Sequence, residues 1–306
     1  MTDQMHVIVV MAPPGTLFNR MLIENAVSAV QGQVVEAHRV AVPVTLADHR
    51  EVSKFLIDCP DPERLSAQLR QLSDQYGADI ALQSRLSRCR PYGLAVFDMD
   101  STLISCEVID ELARVAGVGA EVAAITERAM RGELDFDESF RTRLALLEGL
   151  DAGAVDELAD QLPVQSGLSE MATTLKARGL RLAIFSGGFI PIAERLKNDY
   201  GFDHVVANGL EIRDGKVTGK IIPPIVNREY KAEALGALAS QLGIHTEHCI
   251  AVGDGANDLS MMALAGLGVA FHAKPAVRAA SPIEITHIGL DGVCYLMGHE
   301  GEFAAA

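Results

Sequence analysis

Leu94-Ala95-Val96-Phe97-Asp98-Met99-Asp100-Ser101-Thr102 is the stretch from which the fold can be read. Four apolar residues make a short buried strand, and the chain turns polar at once where that strand ends. The same grammar returns twice. Residues 180–185 are a strand running into Ser186-Gly187-Gly188, and residues 249–252 one running into Gly253-Asp254-Gly255-Ala256-Asn257-Asp258. Further strands are expected at 267–271 and 284–288, and Asp214-Gly215 signals a hairpin within 209–222. Apolar runs alternating with helical periodicity imply an α/β fold, a doubly wound, Rossmann-like parallel sheet. Ligands of such sheets bind outside the carboxyl ends of the strands. Three polar motifs spread over about 160 residues are therefore expected to meet.

Two segments stand outside this pattern. From residue 107 to about 162 the spacing is almost wholly helical, broken at Gly117, Gly132 and Gly149. That is too long for a crossover and reads as an inserted helical cap. Residues 5–86 read as a small βαββαβ unit, with strands at 6–11, 34–42, 52–57 and 79–82. Its helices are expected at about 17–31 and around Leu65, Leu69 and Leu72. The polar stretch 84–90, closed by Pro91, looks like a linker. The expected organisation is an α+β domain over 1–86, a linker over 87–93, a sheet domain over 94–105 and 168–306, and a cap over 106–167.

Composition narrows the partners. With 306 residues, 49% hydrophobic and 22% charged, the chain reads as a globular protein. A net charge of −15 argues against nucleic acid or an anionic membrane as partner. Five cysteines (Cys59, Cys89, Cys106, Cys249, Cys294) are odd in number, widely spaced and without a CxxC, which fits a reducing cytoplasm. No basic n-region opens the chain, and no apolar run reaches the roughly 18 residues of a spanning helix. A cytoplasmic location is expected.

The motifs carry a coherent chemistry. Asp98 and Asp100, at i and i+2 on extended backbone, point to one side. Close carboxylates repel unless a cation lies between them or one takes a proton. Asp254 adds a third, and an all-oxygen donor set favours Mg²⁺. Ser186, Gly187 and Gly188 offer a hydroxyl and open backbone N–H groups before a helix, an anion cradle. Lys231 supplies a counter-charge. Singly, each has an ordinary reading: a capping loop, an Asp-Gly turn, a structural turn, a surface lysine. In this order they specify phosphoryl transfer through an aspartate nucleophile.

In that order they also resemble the four motifs of the haloacid-dehalogenase-like phosphatases. From about 94 to 295 the chain is similar to their phosphoserine phosphatase branch, on residues 97–107, Ala129-Met130-Arg131-Gly132, Asp135-Phe136 and 139–143. The resemblance implies Asp98 as nucleophile and Asp100 as general acid and base. It implies Mg²⁺ on Asp98, Asp100 (through its carbonyl) and Asp254, with Asp258 supporting the metal's water shell. Ser186, Gly187, Lys231 and Asn257 would bind phosphate. Glu107 would meet a substrate ammonium and Arg143 its carboxylate, with Met130 and Phe136 closing the cap. The implied reaction is hydrolysis of phosphoserine, a small-molecule substrate. Transfer to another hydroxyl acceptor, or an amino-acid sensor with vestigial activity, stays open. The N-terminal unit resembles an ACT-type domain, although its turn, Ala12-Pro13-Pro14-Gly15, lacks the usual acidic residue. Homodimerisation or a purely structural role is expected of it.

Overall fold

Alternate residues of the first strand serve two different cores. A computed structural model of the chain describes residues 5–40, 50–131, 133–299 and 302–303, apart from the Met130 side chain. In β1 (Met5–Ala12), Ile8 and Val10 face one side, and Val7, Val9 and Met11 the other, all buried. Strand periodicity of two makes this division unavoidable once both faces are covered. With β2 (Gln33–Val40), β3 (Glu51–Asp58) and β4 (Asp79–Ser84), β1 forms an antiparallel sheet in the order β2-β3-β1-β4. Helices α1 (Arg20–Ala29) and α2 (Pro62–Tyr76) cover one face with Ile23, Val27, Leu65 and Leu69. The expected βαββαβ order is present. The last two positions of the expected second strand, 41 and 42, lie outside the described residues.

The other face of this sheet packs into the core of the second sheet, with α13 (Gly292–Leu296) against β1. Buried polar contacts tie the two units. The Asp79 carboxylate accepts backbone N–H groups of Thr286 (2.6 Å), His287 (3.0 Å) and Ile288 (3.0 Å). Arg50 pairs with Asp291 at 2.6 Å, both buried. The stretch read as a linker holds a short helix, α3 (Arg85–Arg88), whose Arg88 is fully buried. Its guanidinium donates to Gln83, to Glu302 and to the carbonyls of Tyr295 and Leu296. Polarity misleads here because acceptors on every guanidinium nitrogen let an arginine sit inside.

The second sheet has seven strands: β5 (Leu94–Phe97), β6 (Arg181–Phe189), β7 (His204–Arg213), β8 (Lys216–Ile222), β9 (Cys249–Gly253), β10 (Leu267–Phe271) and β11 (Glu284–Ile285). Their order is β11-β10-β9-β5-β6-β7-β8, parallel except for β8. Asp214 (φ +49°) and Gly215 (φ +74°) make the β7–β8 turn, as the sequence predicts. β11 is shorter than the expected 284–288, because Asp79 takes the N–H groups of 286–288 and they form no ladder.

Helices α4 (Val108–Ala116), α5 (Gly119–Met130), α6 (Phe136–Ala145) and α7 (Gly153–Asp160) form the insertion after β5, and α8 (Leu168–Ala177) returns to β6. The rest pack on the sheet: α9 (Ile190–Tyr200), α10 (Arg228–Gln241), α11 (Leu259–Leu264), α12 (Pro275–Ala280) and α13. Among the described residues, no helix is long and apolar enough to cross a membrane.

Candidate active site

The central strand delivers the first carboxylate. Asp98 N–H donates to Val252 O at 2.9 Å, the last rung between β5 and β9, and beyond it the chain leaves the sheet. Lys231, on α10 and wholly buried, reaches Asp98 Oδ1 at 2.8 Å and Asp258 Oδ1 at 2.7 Å. Met99 N–H donates to the same Asp98 oxygen at 2.7 Å. Asp258 Oδ2 accepts Gly255 N–H at 3.0 Å, and Thr102 donates to Asp254 Oδ1 at 3.3 Å. The ends of β5 and β9 have therefore converged on α10, and the end of β6 joins them at the cavity through Gly187 and Gly188. Gly253 is required for this, since a Cβ there would fall 2.4 Å from the Asp258 carboxyl.

Charge at this point does not balance. Asp98, Asp254 and Asp258 are buried with ligand atoms within 4.8 Å of one another, beside one buried ammonium. Burial, then the Asp258 charge, raises the pKa of Asp98. Burial and then Asp258 push Asp254 up to about 7. Desolvation of its carboxyl, then the Glu107 charge, pushes the half-buried Asp100 up to about 8. Burial works against the Lys231 charge, but Asp258 and Asp98 overcome it and raise its pKa. Excess negative charge on an all-oxygen cluster is the arrangement a hard divalent cation fits.

Above the carboxylates lies a cavity of about 330 Å³. Asp98, Asp100, Asp254 and Asn257 line its floor, and Gly187 and Gly188 one side. The insertion closes it with Glu107, Phe136 and Arg143. Glu107 accepts the Ser101 hydroxyl at 2.9 Å, and Asp100 Oδ1 accepts Val108 N–H at 3.2 Å. Arg143 is half-buried. Its Nε has no hydrogen-bond partner among the described residues, and one terminal nitrogen reaches Thr126 at 3.5 Å. The cavity thus presents two carboxylates, Glu107 and Asp110, and one guanidinium, Arg143, from the insertion, facing an acidic floor.

Some expected residues sit differently. Ser186 is buried beneath the cavity wall, with its Oγ accepting Gly188 N–H at 2.7 Å. Lys231 meets the cavity through Asp98 rather than directly. Asp258 has both oxygens engaged, by Lys231 and Gly255. The expected role of Met130 falls on a side chain outside the described residues. Phe140 and Phe189, 6.0 Å apart between ring centroids, build an aromatic wall that the sequence reading had not assigned. Each adjoins a motif, which is the signal that could have found them. Lys274, at the cavity rim, has no such signal.

The model of the haloacid dehalogenase-like hydrolase family matches residues 95–263, more than half of the chain. The chain belongs to this family. It is 46% identical over 249 residues to the phosphoserine phosphatase of Mycobacterium tuberculosis, covering 81% of this chain and 60% of that protein's length. A HAD family hydrolase from Salmonella enterica serovar Typhi superposes with a TM-score of 0.84 at 32% identity, covering 97% of this chain and 100% of that one. A phosphoserine phosphatase with a phospho-aspartyl intermediate analogue superposes with a TM-score of 0.64 at 40% identity, covering 68% and 99%.

Proposed function

We propose that the chain hydrolyses O-phospho-L-serine to L-serine and phosphate through an aspartyl-phosphate on Asp98. The observation that carries this reading is the pairing of Lys231 with Asp98, below a cavity holding Glu107 and Arg143 as opposite charges. The recorded contacts to Asp98 fall on Oδ1, which leaves Oδ2 to attack phosphorus. As the new P–O bond forms, the bond to the seryl oxygen breaks, and Asp100 delivers its proton to that oxygen. Burial and the neighbouring Glu107 raise the pKa of Asp100, the direction this step needs. The resulting carboxylate then takes a proton from the water that attacks phosphorus, freeing Asp98 and phosphate. Gly187 and Asn257, on the cavity lining, would hold the phosphoryl group, with Ser186 behind that loop and Lys231 acting through Asp98.

Mg²⁺ is the metal this reading assigns, on Asp98, Asp254 and the Asp100 carbonyl, with Asp258 behind, and it would offset the phosphoryl charge. Arg143 suits the substrate carboxylate bidentately and Glu107 its ammonium, so a zwitterion is read at fixed separation. Phe136, from the insertion, covers the cavity mouth. Names of relatives and the phospho-aspartyl analogue support the reading.

We also take residues 106–167 as a cap on a core of 94–105 and 168–306, with 87–93 joining it to an ACT-like unit over 1–86. That unit is the candidate homodimer surface, and the cytoplasm the proposed location. Phosphate release from a panel of phosphomonoesters, with and without Mg²⁺, tests the central reading. Phosphoserine should be turned over best, and Asp98→Asn should fall to background. Comparable turnover of sugar phosphates would defeat the substrate assignment.

A further inference from the structure

Asn208 lies on β7, is completely buried, and belongs to none of the motifs above. Its amide spans two segments. Nδ2 donates to the Gly187 carbonyl at 2.6 Å, and Oδ1 accepts Val226 N–H at 2.8 Å. A carbonyl on one side and an N–H on the other leave the amide a single orientation. In a regular parallel ladder the Gly187 carbonyl would pair with a backbone N–H of the neighbouring strand. Here the β6–β7 register shifts after Phe185 and resumes at Phe189 opposite Asn208. Residues 186–188 thus leave the ladder, and a side chain takes its place.

The nitrogen end of the same peptide unit is also held. Gly188 N–H donates to Ser186 Oγ at 2.7 Å. A trans peptide carries its C=O and N–H on opposite sides, so fixing one fixes the other. Ser186 Oγ accepts that N–H from behind the Gly187–Gly188 side of the cavity. On the far side, Val226 precedes Asn227, whose side chain accepts Tyr230 N–H and caps α10, the helix of Lys231.

We propose that Asn208 is a positioning residue for phosphoryl binding. Its amide fixes the Gly187–Gly188 peptide, which lines the cavity, in the orientation that receives a phosphoryl oxygen, with the Ser186 hydroxyl bracing it from beneath. The same amide ties that loop to the start of the helix carrying Lys231. The inference rests on the phosphatase reading of the site. A purely structural asparagine would affect all ligands alike, whereas this one acts on the phosphoryl group.

The test is Asn208→Ala, with inorganic phosphate and L-serine as separate competitive inhibitors. Weakening of phosphate inhibition by about tenfold is expected, with a matching rise in KM, while L-serine inhibition stays within about twofold. In a Ser186→Ala background the same substitution should cost less than about twofold, because both act through one peptide. Equal weakening of phosphate and serine, or full additivity with Ser186→Ala, would overturn the proposal. If Asn208→Ala does not fold, phosphate is titrated into the unaltered protein and followed by NMR. The Asn208 side-chain NH₂ signals should then move with the same midpoint as the Gly187 amide; signals that stay fixed while that amide saturates count against it. Absence of phosphoserine turnover in the unaltered chain would sink the proposed substrate and leave the NMR titration with phosphate as a valid readout of the Asn208 proposal.

Discussion

Gly188 shows how little room the site leaves for a single atom. A Cβ at this position would meet Met99 Cε at 2.6 Å, Asp100 Oδ2 at 2.7 Å and Ser186 Oγ at 3.0 Å. Gly188→Ala should therefore displace the Asp100 carboxyl and lower kcat by about 100-fold or more, with the melting temperature changed by only a few degrees. Steady-state kinetics beside a thermal melt checks both halves. Arg143 makes a different case, because its Nε is buried without a partner among the described residues. Arg143→Ala should raise KM for phosphoserine by about 10- to 100-fold and largely spare a phosphate ester lacking a carboxylate. Equal losses on both esters would remove it as the carboxylate clamp. Asp98, Asp100 and Asp254 were legible because apolar strands run straight into them. Glu107 and Arg143 were not legible from residue type, since charges on a helix ordinarily face water; the resemblance marked them. Asn208 gave no signal, because its partners are backbone groups distant in sequence.

A helix end, as well as helix packing, joins the insertion to the sheet domain. Asn227 caps α10 with its Oδ1 and uses Nδ2 to donate to Asp137 Oδ1, in the first turn of α6, at 3.2 Å. One side chain thus fixes the helix of Lys231 and touches the element that brings Phe136 over the cavity. Asn227→Asp keeps a good cap but sets a carboxylate against Asp137. It should raise KM about three- to tenfold, by like-charge repulsion between insertion and core. Adding Asp137→Asn restores a donor opposite an acceptor, and KM should return to near its original value. A double variant as impaired as the single would refute this contact as a latch. Element order was readable because strand and helix periodicities differ. Element ends were harder. β11 stops early and α3 exists because Asp79 and Arg88 make contacts across more than 200 residues, which no local window contains.

Taken whole, the molecule is joined by buried charge as well as by apolar packing. Glu302 accepts from Arg88 at 2.6 Å and pairs with Lys54. Burial alone would raise its pKa, but hydrogen bonds and charge from Arg88, then Lys54, bring it down to about 2. A depressed carboxyl pKa adds stability that is complete above the unfolded value of about 4.5 and lost as pH falls towards 2. The contribution is on the order of 2–3 kcal/mol. Unfolding of the chain and of Glu302→Gln should differ at pH 6 and converge by about pH 2; a constant gap would show that the ion pairs carry no pH-dependent stability. That the N-terminal unit would share a core with the rest was not legible, although β1 hinted at it: a strand apolar at every position from Val7 to Ala12 has no face to give to water. The order of synthesis gives this strand a further consequence. One side of β1 is sealed by its own helices early, but the other waits for α13, made near the opposite end of the chain. Until α13 is synthesised, the part of that apolar stripe it covers stays open to other chains.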